Sequence, residues 1–174
     1  MNFINRIDNL YNNNTKIEIY LDMDGTVVEF LLNNEMNFKK KTGYLKKKPI
    51  LPIIDIIETI VKKYPLINLN ILSCSSTNQM KKEKNKWLDR YMPYICKENR
   101  IIFSEEDSDF HSRMGSSIKA TYLSKSSNEN IIFFIDDDVR NLLEVQKLSK
   151  NNIIPIHVTS LLMWKLADEI SLVS

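Results

Sequence analysis

Apolar runs alternate with helical patterns along the chain. Five short runs rich in Ile, Leu and Phe predict buried strands over residues 17–21, 67–72, 100–103, 131–135 and 153–158. Segments with apolar residues at three- and four-residue spacing predict helices over residues 1–11, 51–63, 81–91, 117–123 and 142–148. Strands separated by helices indicate an α/β fold with a mainly parallel five-stranded sheet and helices on both faces.

The length of 174 residues suits one domain with a substantial core, so we predict a single domain over residues 1–174. Residues 27–50 lie between the first strand and the helix that starts at Leu51. We expect them to form a small helical cap insertion, with one helix and a turn built around Phe30, Leu31, Phe38 and Tyr44.

The composition is that of an ordinary globular protein, with 43% hydrophobic and 26% charged residues. A net charge of +2 implies no global attraction to nucleic acid or to an anionic membrane. No apolar run approaches the roughly 18 residues of a membrane span, and the N-terminus lacks a signal peptide. Two cysteines, Cys74 and Cys96, cannot form a disulfide framework. We therefore expect a soluble cytoplasmic protein with no membrane partner, and the oligomeric state stays open.

Glycine is scarce, and its positions exclude two kinds of nucleotide site. Gly25, Gly43 and Gly115 are too far apart for a dinucleotide-binding fingerprint or a P-loop. Any phosphate must therefore be bound by other groups. Gly25 follows Asp24 where the chain must turn sharply, and we expect that a Cβ there would crowd a phosphate.

Carboxylates follow two of the predicted strands. Asp22 and Asp24 come after the first strand, and Asp136 to Asp138 come after the fourth. In a parallel sheet these ends share one edge, where ligands bind. Like charges held close together need a cation, and oxygen ligands without clustered His or Cys favour Mg²⁺. The alternative is that these aspartates only cap helices or form turns.

Two further segments offer groups that bind phosphate. The hydroxyl-rich stretch that begins at Ser73 follows the second strand and can donate hydrogen bonds to phosphate oxygens. Lys119 lies at the start of the short helix before the fourth strand, where its ammonium can face a phosphate. Lys125 is the rival candidate, and Lys119 fits better because it precedes the apolar helix pattern.

The order of these motifs resembles the haloacid dehalogenase-like (HAD) phosphohydrolase superfamily. The resemblance runs from about residue 17 to 143 and rests mainly on DMDGT after an apolar strand and on FFIDDDVRNL. Within the superfamily, YLDMDGTVVEF, ILSCSS, EKNKWLDRYMP and FIDDDVRNL look most like the cytosolic type C group of 5'-nucleotidases. The resemblance implies a Rossmann-like core and a phosphatase that acts on a small phosphorylated substrate, which we expect to be a nucleotide.

The resemblance also implies a role for each motif residue. Asp22 would be the nucleophile, and Asp24 would act as general acid and then as general base. Mg²⁺ would be held by Asp22, the backbone carbonyl of Asp24 and Asp137, because the family pattern places the metal carboxylate four residues before Asn141. Asp136 and Asn141 would support the metal site, and Asp138 would start a helix. The phosphate would be bound by Thr26, Ser73 and Lys119.

Two other functions remain open. The tract at residues 39–48 has six lysines, which could attract a phosphorylated substrate or a nucleic-acid end, although a solvated basic face is the commoner role of such a tract. With so small a cap, a polynucleotide-end phosphatase is the alternative enzyme. A receiver-like domain that only accepts a phosphoryl group is the non-enzymatic alternative, and the second Asp of DMDGT disfavours it.

Other reactive or aromatic residues are expected outside the chemistry. His111 and His157 have surface or core roles, and Cys74 is a spectator because no histidine is placed to activate it. Trp87 is expected in the core, and Trp164 in a C-terminal helix that packs on the sheet.

Overall fold

The fold is described from a computed structural model of the 174-residue chain, which describes residues 3–30, 43–107 and 117–163. Several predictions fall outside these ranges: the cap residues Leu31 and Phe38, the lysines at 39–41, His111, Gly115, and the C-terminal helix around Trp164.

Helices and strands alternate as the apolar pattern predicts. The helices are α1 (Phe3–Asn12), α2 (Leu51–Lys63), α3 (Asn78–Tyr91), α4 (Ser117–Ser124) and α5 (Val139–Gln146). The strands are β1 (Ile17–Leu21), β2 (Asn68–Ser75), β3 (Arg100–Ser104), β4 (Ile131–Asp136) and β5 (Ile153–His157). Within the described ranges, no helix combines the length and the apolarity that a membrane crossing requires.

The five strands form one parallel sheet in the order β3-β2-β1-β4-β5, which confirms the predicted α/β class. This order matches the first five strands of the classic Rossmann fold, 3-2-1-4-5-6, whereas receiver domains have the order 2-1-3-4-5. The topology therefore disfavours the receiver-like alternative. Register pairs Leu21 of β1 with Ile135 of β4, so the residues that follow both positions emerge side by side at the centre of the sheet.

Both faces of the sheet are covered because successive side chains of each strand point to opposite sides. Ile19 of β1 and Phe133 of β4 are buried in the core under α1, α2 and α3. Their neighbours Tyr20 and Phe134 are buried in a second core under α4 and α5. The central strands therefore hold the site edge on a rigid, doubly packed support.

The end of β2 and the start of α3 differ from the sequence pattern. The second strand continues to Ser75, past the predicted end at residue 72, because its polar end pairs with β3 as far as Ser104. Ser73 therefore lies within the strand. The next helix begins at Asn78, three residues before its predicted start, because the Thr77 side chain caps it by accepting a hydrogen bond from the backbone N–H of Met80.

The described ends of the insertion form a stem, which comprises residues 27–30 and 43–50. Its two halves pair with each other, since Val28 forms an antiparallel bridge with Pro49 and the N–H of Ile50 donates to the carbonyl of Val27. The stem therefore leaves and rejoins the core at neighbouring points.

A short 3-10 helix, Tyr44–Lys46, attaches the stem to α3. The carboxylate of Glu83 accepts from the N–H of Tyr44, and the indole N–H of Trp87 donates to the carbonyl of Lys47 at 3.0 Å. Trp87 is completely buried, as predicted. These contacts fix the end of the insertion against the core.

Candidate active site

Two buried carboxylates, at the ends of β1 and β4, both contact the ammonium group of one lysine. The Nζ of Lys119, on α4, lies 2.7 Å from Oδ1 of Asp22 and 2.7 Å from Oδ2 of Asp136. Asn141 also donates to Oδ2 of Asp136, and the N–H of Asp138 donates to its Oδ1. Both oxygens of Asp136 are thus occupied by protein donors. Lys119 is only 4% exposed, while Lys125 lies beyond α4 and is exposed.

Burial and like charge set the protonation of this group. Burial, together with the neighbouring carboxylate of Asp22, raises the pKa of Asp136 to about 6, although Lys119 opposes that shift. Burial alone would lower the pKa of Lys119, but Asp22 and Asp136 raise it above its ordinary value. Lys119 is therefore a permanent cation.

Asp137 is held against the turn that follows β1. The hydroxyl of Thr26 lies 3.4 Å from Oδ1 of Asp137, and Thr26 is fully buried. Gly25 has a φ of +78°, and a Cβ there would lie 2.1 Å from Oδ2 of Asp137. The sharp turn is as predicted, but the group that a Cβ would meet is this carboxylate, whereas the sequence suggested a bound phosphate. The predicted contact of Thr26 with substrate stays a prediction.

Three carboxylates at this edge fit a hard divalent cation. One oxygen from each of Asp22, Asp136 and Asp137 lies within 4.8 Å of the others. Burial and the charge of Asp22 raise the pKa of Asp137, so the cluster favours a bound cation electrostatically. Since the donors are all oxygens, the chemistry suits Mg²⁺. Asp137 is the half-buried member, and Asp136 is completely buried.

Asp24 contacts two lysines that the sequence did not single out. Its Oδ1 lies 2.8 Å from Nζ of Lys47, in the stem, and its Oδ2 lies 2.6 Å from Nζ of Lys84, on α3. Burial favours the neutral acid, but the ammonium groups of Lys84 and Lys47 hold the pKa of Asp24 below its ordinary value. In this structure Asp24 is an ionised carboxylate.

Lys84 also reaches the end of β2. Its Nζ donates to Oγ of Ser73 at 2.9 Å and to the carbonyl of Cys74 at 2.5 Å, and the residue is completely buried. A fully buried lysine is rare and needs partners such as these. One signal in the sequence marks it: Lys84 lies four residues before Leu88 and three before Trp87, on the apolar stripe of α3.

The site opens into a cleft of about 900 Å³. It is lined by most of the residues predicted to act there: Asp22, Asp24, Ser73, Lys119, Asp137 and Asn141. Thr26 is buried beneath the cleft, away from its lining. The lining also includes Phe30 of the stem, Glu105 after β3, and Arg140, which forms an ion pair with Asp138.

Cys74 lies beside Ser73, near the predicted phosphate site, whereas His157 lies nearer to the site than the sequence suggested. Cys74 lines the cleft, and burial raises the pKa of its thiol, which keeps it in the unreactive protonated form. His157, at the end of β5, places Nε2 3.1 Å from the backbone carbonyl of Asp137.

Comparisons with known proteins identify the fold. No protein-family model matches the chain, and no curated protein matches its sequence. The structure is similar to the HAD domain of the effector protein Lem4 from Legionella pneumophila, with a TM-score of 0.51 and 16% identity over 82% of this chain and 85% of that one.

Two further similar chains come from structures of a Pnkp1/Rnl/Hen1 complex. One has a TM-score of 0.57 and 14% identity over 82% of this chain, and the other, described as an RNA repair complex, has 0.52 and 15% over 83%. This protein spans 46% and 43% of those chains, less than half of each. At such identities the likeness establishes the fold: the protein has a Rossmann-like α/β core similar to that of the Lem4 HAD domain.

Proposed function

We propose that this protein is a Mg²⁺-dependent phosphomonoesterase that works through an aspartyl-phosphate on Asp22. The observation that carries the proposal is the bridge of Lys119 between Asp22 and Asp136, with Asp22, Lys119 and Asp137 lining one cleft. A carboxylate that is held in a fixed position by an ion pair and that lines a cleft is suited to attack phosphorus. The similarity of the core to the Lem4 HAD domain supports the proposal.

In the first step, a carboxylate oxygen of Asp22 forms a bond to phosphorus as the bond from phosphorus to the leaving oxygen breaks. The leaving oxygen takes a proton from Asp24 in its acid form. Because Asp24 is ionised in this structure, a proton must first reach it, either from solvent or from a substrate phosphate that binds as its monoanion. Lys84 and Lys47 hold the Asp24 carboxylate in place through ion pairs of 2.6 and 2.8 Å.

In the second step, Asp24 is the general base. It takes a proton from a water molecule, whose oxygen bonds to phosphorus while the bond from phosphorus to Asp22 breaks. The products are inorganic phosphate and the original carboxylate of Asp22. Ser73 and Lys119 bind the non-bridging oxygens as charge develops on them.

The metal would be held by the carboxylates of Asp22 and Asp137 and by the backbone carbonyl of Asp24. Asp136 is better suited to support, because its two oxygens already accept from Lys119, Asn141 and a backbone N–H. When bound, Mg²⁺ supplies positive charge that shields one anion from another as the phosphate approaches.

The substrate we propose is a nucleoside monophosphate, on the resemblance of four sequence segments to cytosolic 5'-nucleotidases. A polynucleotide end is the second candidate. It is favoured by the fold likeness to a chain of an RNA repair complex and by the three lysines at residues 46–48 of the stem. Two of these, Lys46 and Lys48, are exposed, while Lys47 contacts Asp24.

A generic aryl phosphate tests the reaction, and a substrate panel tests the specificity. We expect hydrolysis that is abolished by a chelator, restored by Mg²⁺, and reduced to background in Asp22→Asn. Full activity in Asp22→Asn would refute the mechanism. If kcat/KM is higher for 3'-phosphorylated oligonucleotides than for matched nucleoside monophosphates, the substrate is a polynucleotide end and the nucleotidase proposal is refuted.

A further inference from the structure

His157 joins the end of β5 to the loop that carries Asp137. Its Nε2 lies 3.1 Å from the backbone carbonyl oxygen of Asp137, and its Nδ1 lies 2.8 Å from Oγ1 of Thr159. A carbonyl oxygen can only accept, so Nε2 carries the hydrogen of this contact. Nδ1 is then the acceptor for the Thr159 hydroxyl and for its backbone N–H at 3.4 Å.

Thr159, the partner of Nδ1, is exposed, but residues on both sides of it are anchored in the hydrophobic core. Val158 and Leu161, on either side of Thr159, are buried, and the N–H of Leu161 donates to the carbonyl of Val158. The N–H of Val158 also donates to the carbonyl of Asp136 at 3.1 Å. Two consecutive carbonyls of the acidic loop, those of Asp136 and Asp137, are therefore bound from the end of β5.

The other side of Asp137 has little freedom. Its carboxylate lies against Gly25, where even a methyl group would collide, and near the hydroxyl of Thr26. The backbone of Asp137 is thus fixed from β5 and its side chain from the turn after β1. A shift of the backbone by a few tenths of an ångström would move the carboxylate relative to Asp22.

We propose that His157 is a positioning residue for the metal: it sets the place of the Asp137 carboxylate through the backbone and so raises the affinity of the site for a divalent cation. This inference rests on the metal site of the proposed function. Residues that hold a metal ligand in place without touching the metal typically raise the metal affinity by about 10- to 100-fold. Because the bond of His157 is to the backbone, we expect the lower end of that range.

Binding of Mn²⁺ to the full chain, without substrate, tests the proposal. Mn²⁺ replaces Mg²⁺ as the probe because its free ion is counted directly by electron paramagnetic resonance. His157→Leu removes both hydrogen bonds and is expected to raise the Kd for Mn²⁺ about 10-fold. His157→Gln keeps an N–H donor and should recover most of the affinity, and Thr159→Val should lose part of it.

Asn152→Ala is the matched control. Asn152 donates to the carbonyls of Ser127 and Asn130 at the opposite end of β5, so its loss removes the same kind of bond far from the acidic loop. We expect its Kd for Mn²⁺ to stay within twofold of the unmodified protein. At saturating Mn²⁺, the KM of His157→Leu for an aryl phosphate should be unchanged.

The outcomes distinguish a failure of the role of His157 from a failure of the proposed metal site. Asp137→Asn should weaken Mn²⁺ binding more than any change at His157, and undiminished binding there would refute the proposed metal site. Weakened binding in Asp137→Asn with unchanged binding in His157→Leu would overturn the role of His157 alone. If His157→Leu does not fold, an unchanged Kd in Thr159→Val overturns that role equally.

Discussion

Adding one methyl group at Gly25 should disable the site with little effect on the rest of the fold. Gly25 is the described glycine with a left-handed backbone, at φ +78°, and it is in contact with the carboxylate of Asp137. Gly25→Ala introduces two separate conflicts: a backbone conformation that L-residues avoid and a Cβ where a carboxylate already lies.

The structure gives the size of each conflict. The left-handed conformation costs about 1–2 kcal/mol for a residue with a Cβ. The new atom would lie 2.1 Å from Oδ2 and 2.3 Å from Cγ of Asp137, where ordinary contact begins at 3.4 Å, so the carboxylate must retreat by more than an ångström. A misplacement of that size costs roughly 100-fold in rate.

We therefore expect Gly25→Ala to lower kcat/KM for an aryl phosphate about 100-fold and to weaken Mn²⁺ binding, while urea unfolding shows a loss of about 1–3 kcal/mol. The matched control is Gly43→Ala, because Gly43 has a φ of −86° that any residue adopts. It should keep full activity. If Gly25→Ala retains more than half of the activity and Mn²⁺ affinity, the contact between Gly25 and Asp137 does not position the carboxylate.

Two further predictions concern the buried charges. Lys84→Met removes one of the two cations on Asp24, so the pKa of Asp24 should rise, as seen in carboxyl ¹³C NMR titration, and an unchanged pKa would contradict this. Because Lys84 also donates to Ser73, its loss should displace both side chains and lower kcat at least about tenfold. In metal-free protein, Asp136 has a folded pKa of about 6, above the roughly 3.9 of an unfolded aspartate. Below about pH 4 Asp136 is protonated in both the folded and the unfolded state. Between about pH 4 and 6 only the folded state keeps the proton, so the free energy of unfolding should fall as pH rises through this range. Urea titrations at each pH should show this decline, and Asp136→Asn should flatten it.

The strands and the acidic edge were predictable because they depend on local pattern. The runs that became β1 and β4 are continuous apolar segments, and in a parallel sheet their ends must meet at one edge. The choice of Lys119 over Lys125 followed from the helix pattern beside it. Each of these inferences needed only a few neighbouring residues.

The two lysines on Asp24 were missed because their role depends on distant contacts. Lys84 is 60 residues from Asp24 along the chain, and Lys47 is 23 residues away. In a lysine-rich sequence both resemble solvated surface residues. What distinguishes them is burial. Lys47 is buried because the stem packs on α3, and Lys84 is buried because it lies in the apolar stripe of α3.

The contact between Trp87 and the stem gives the molecule an optical signal of its own. The chain has two tryptophans, so Trp164→Phe would leave Trp87 as the sole indole fluorophore. Its N–H is bound to the carbonyl of Lys47, the residue whose ammonium lies 2.8 Å from Asp24. Any separation of the stem from α3 would break that hydrogen bond and admit water to the indole. A red shift in emission during stopped-flow mixing with phosphate would time such a movement without an attached dye.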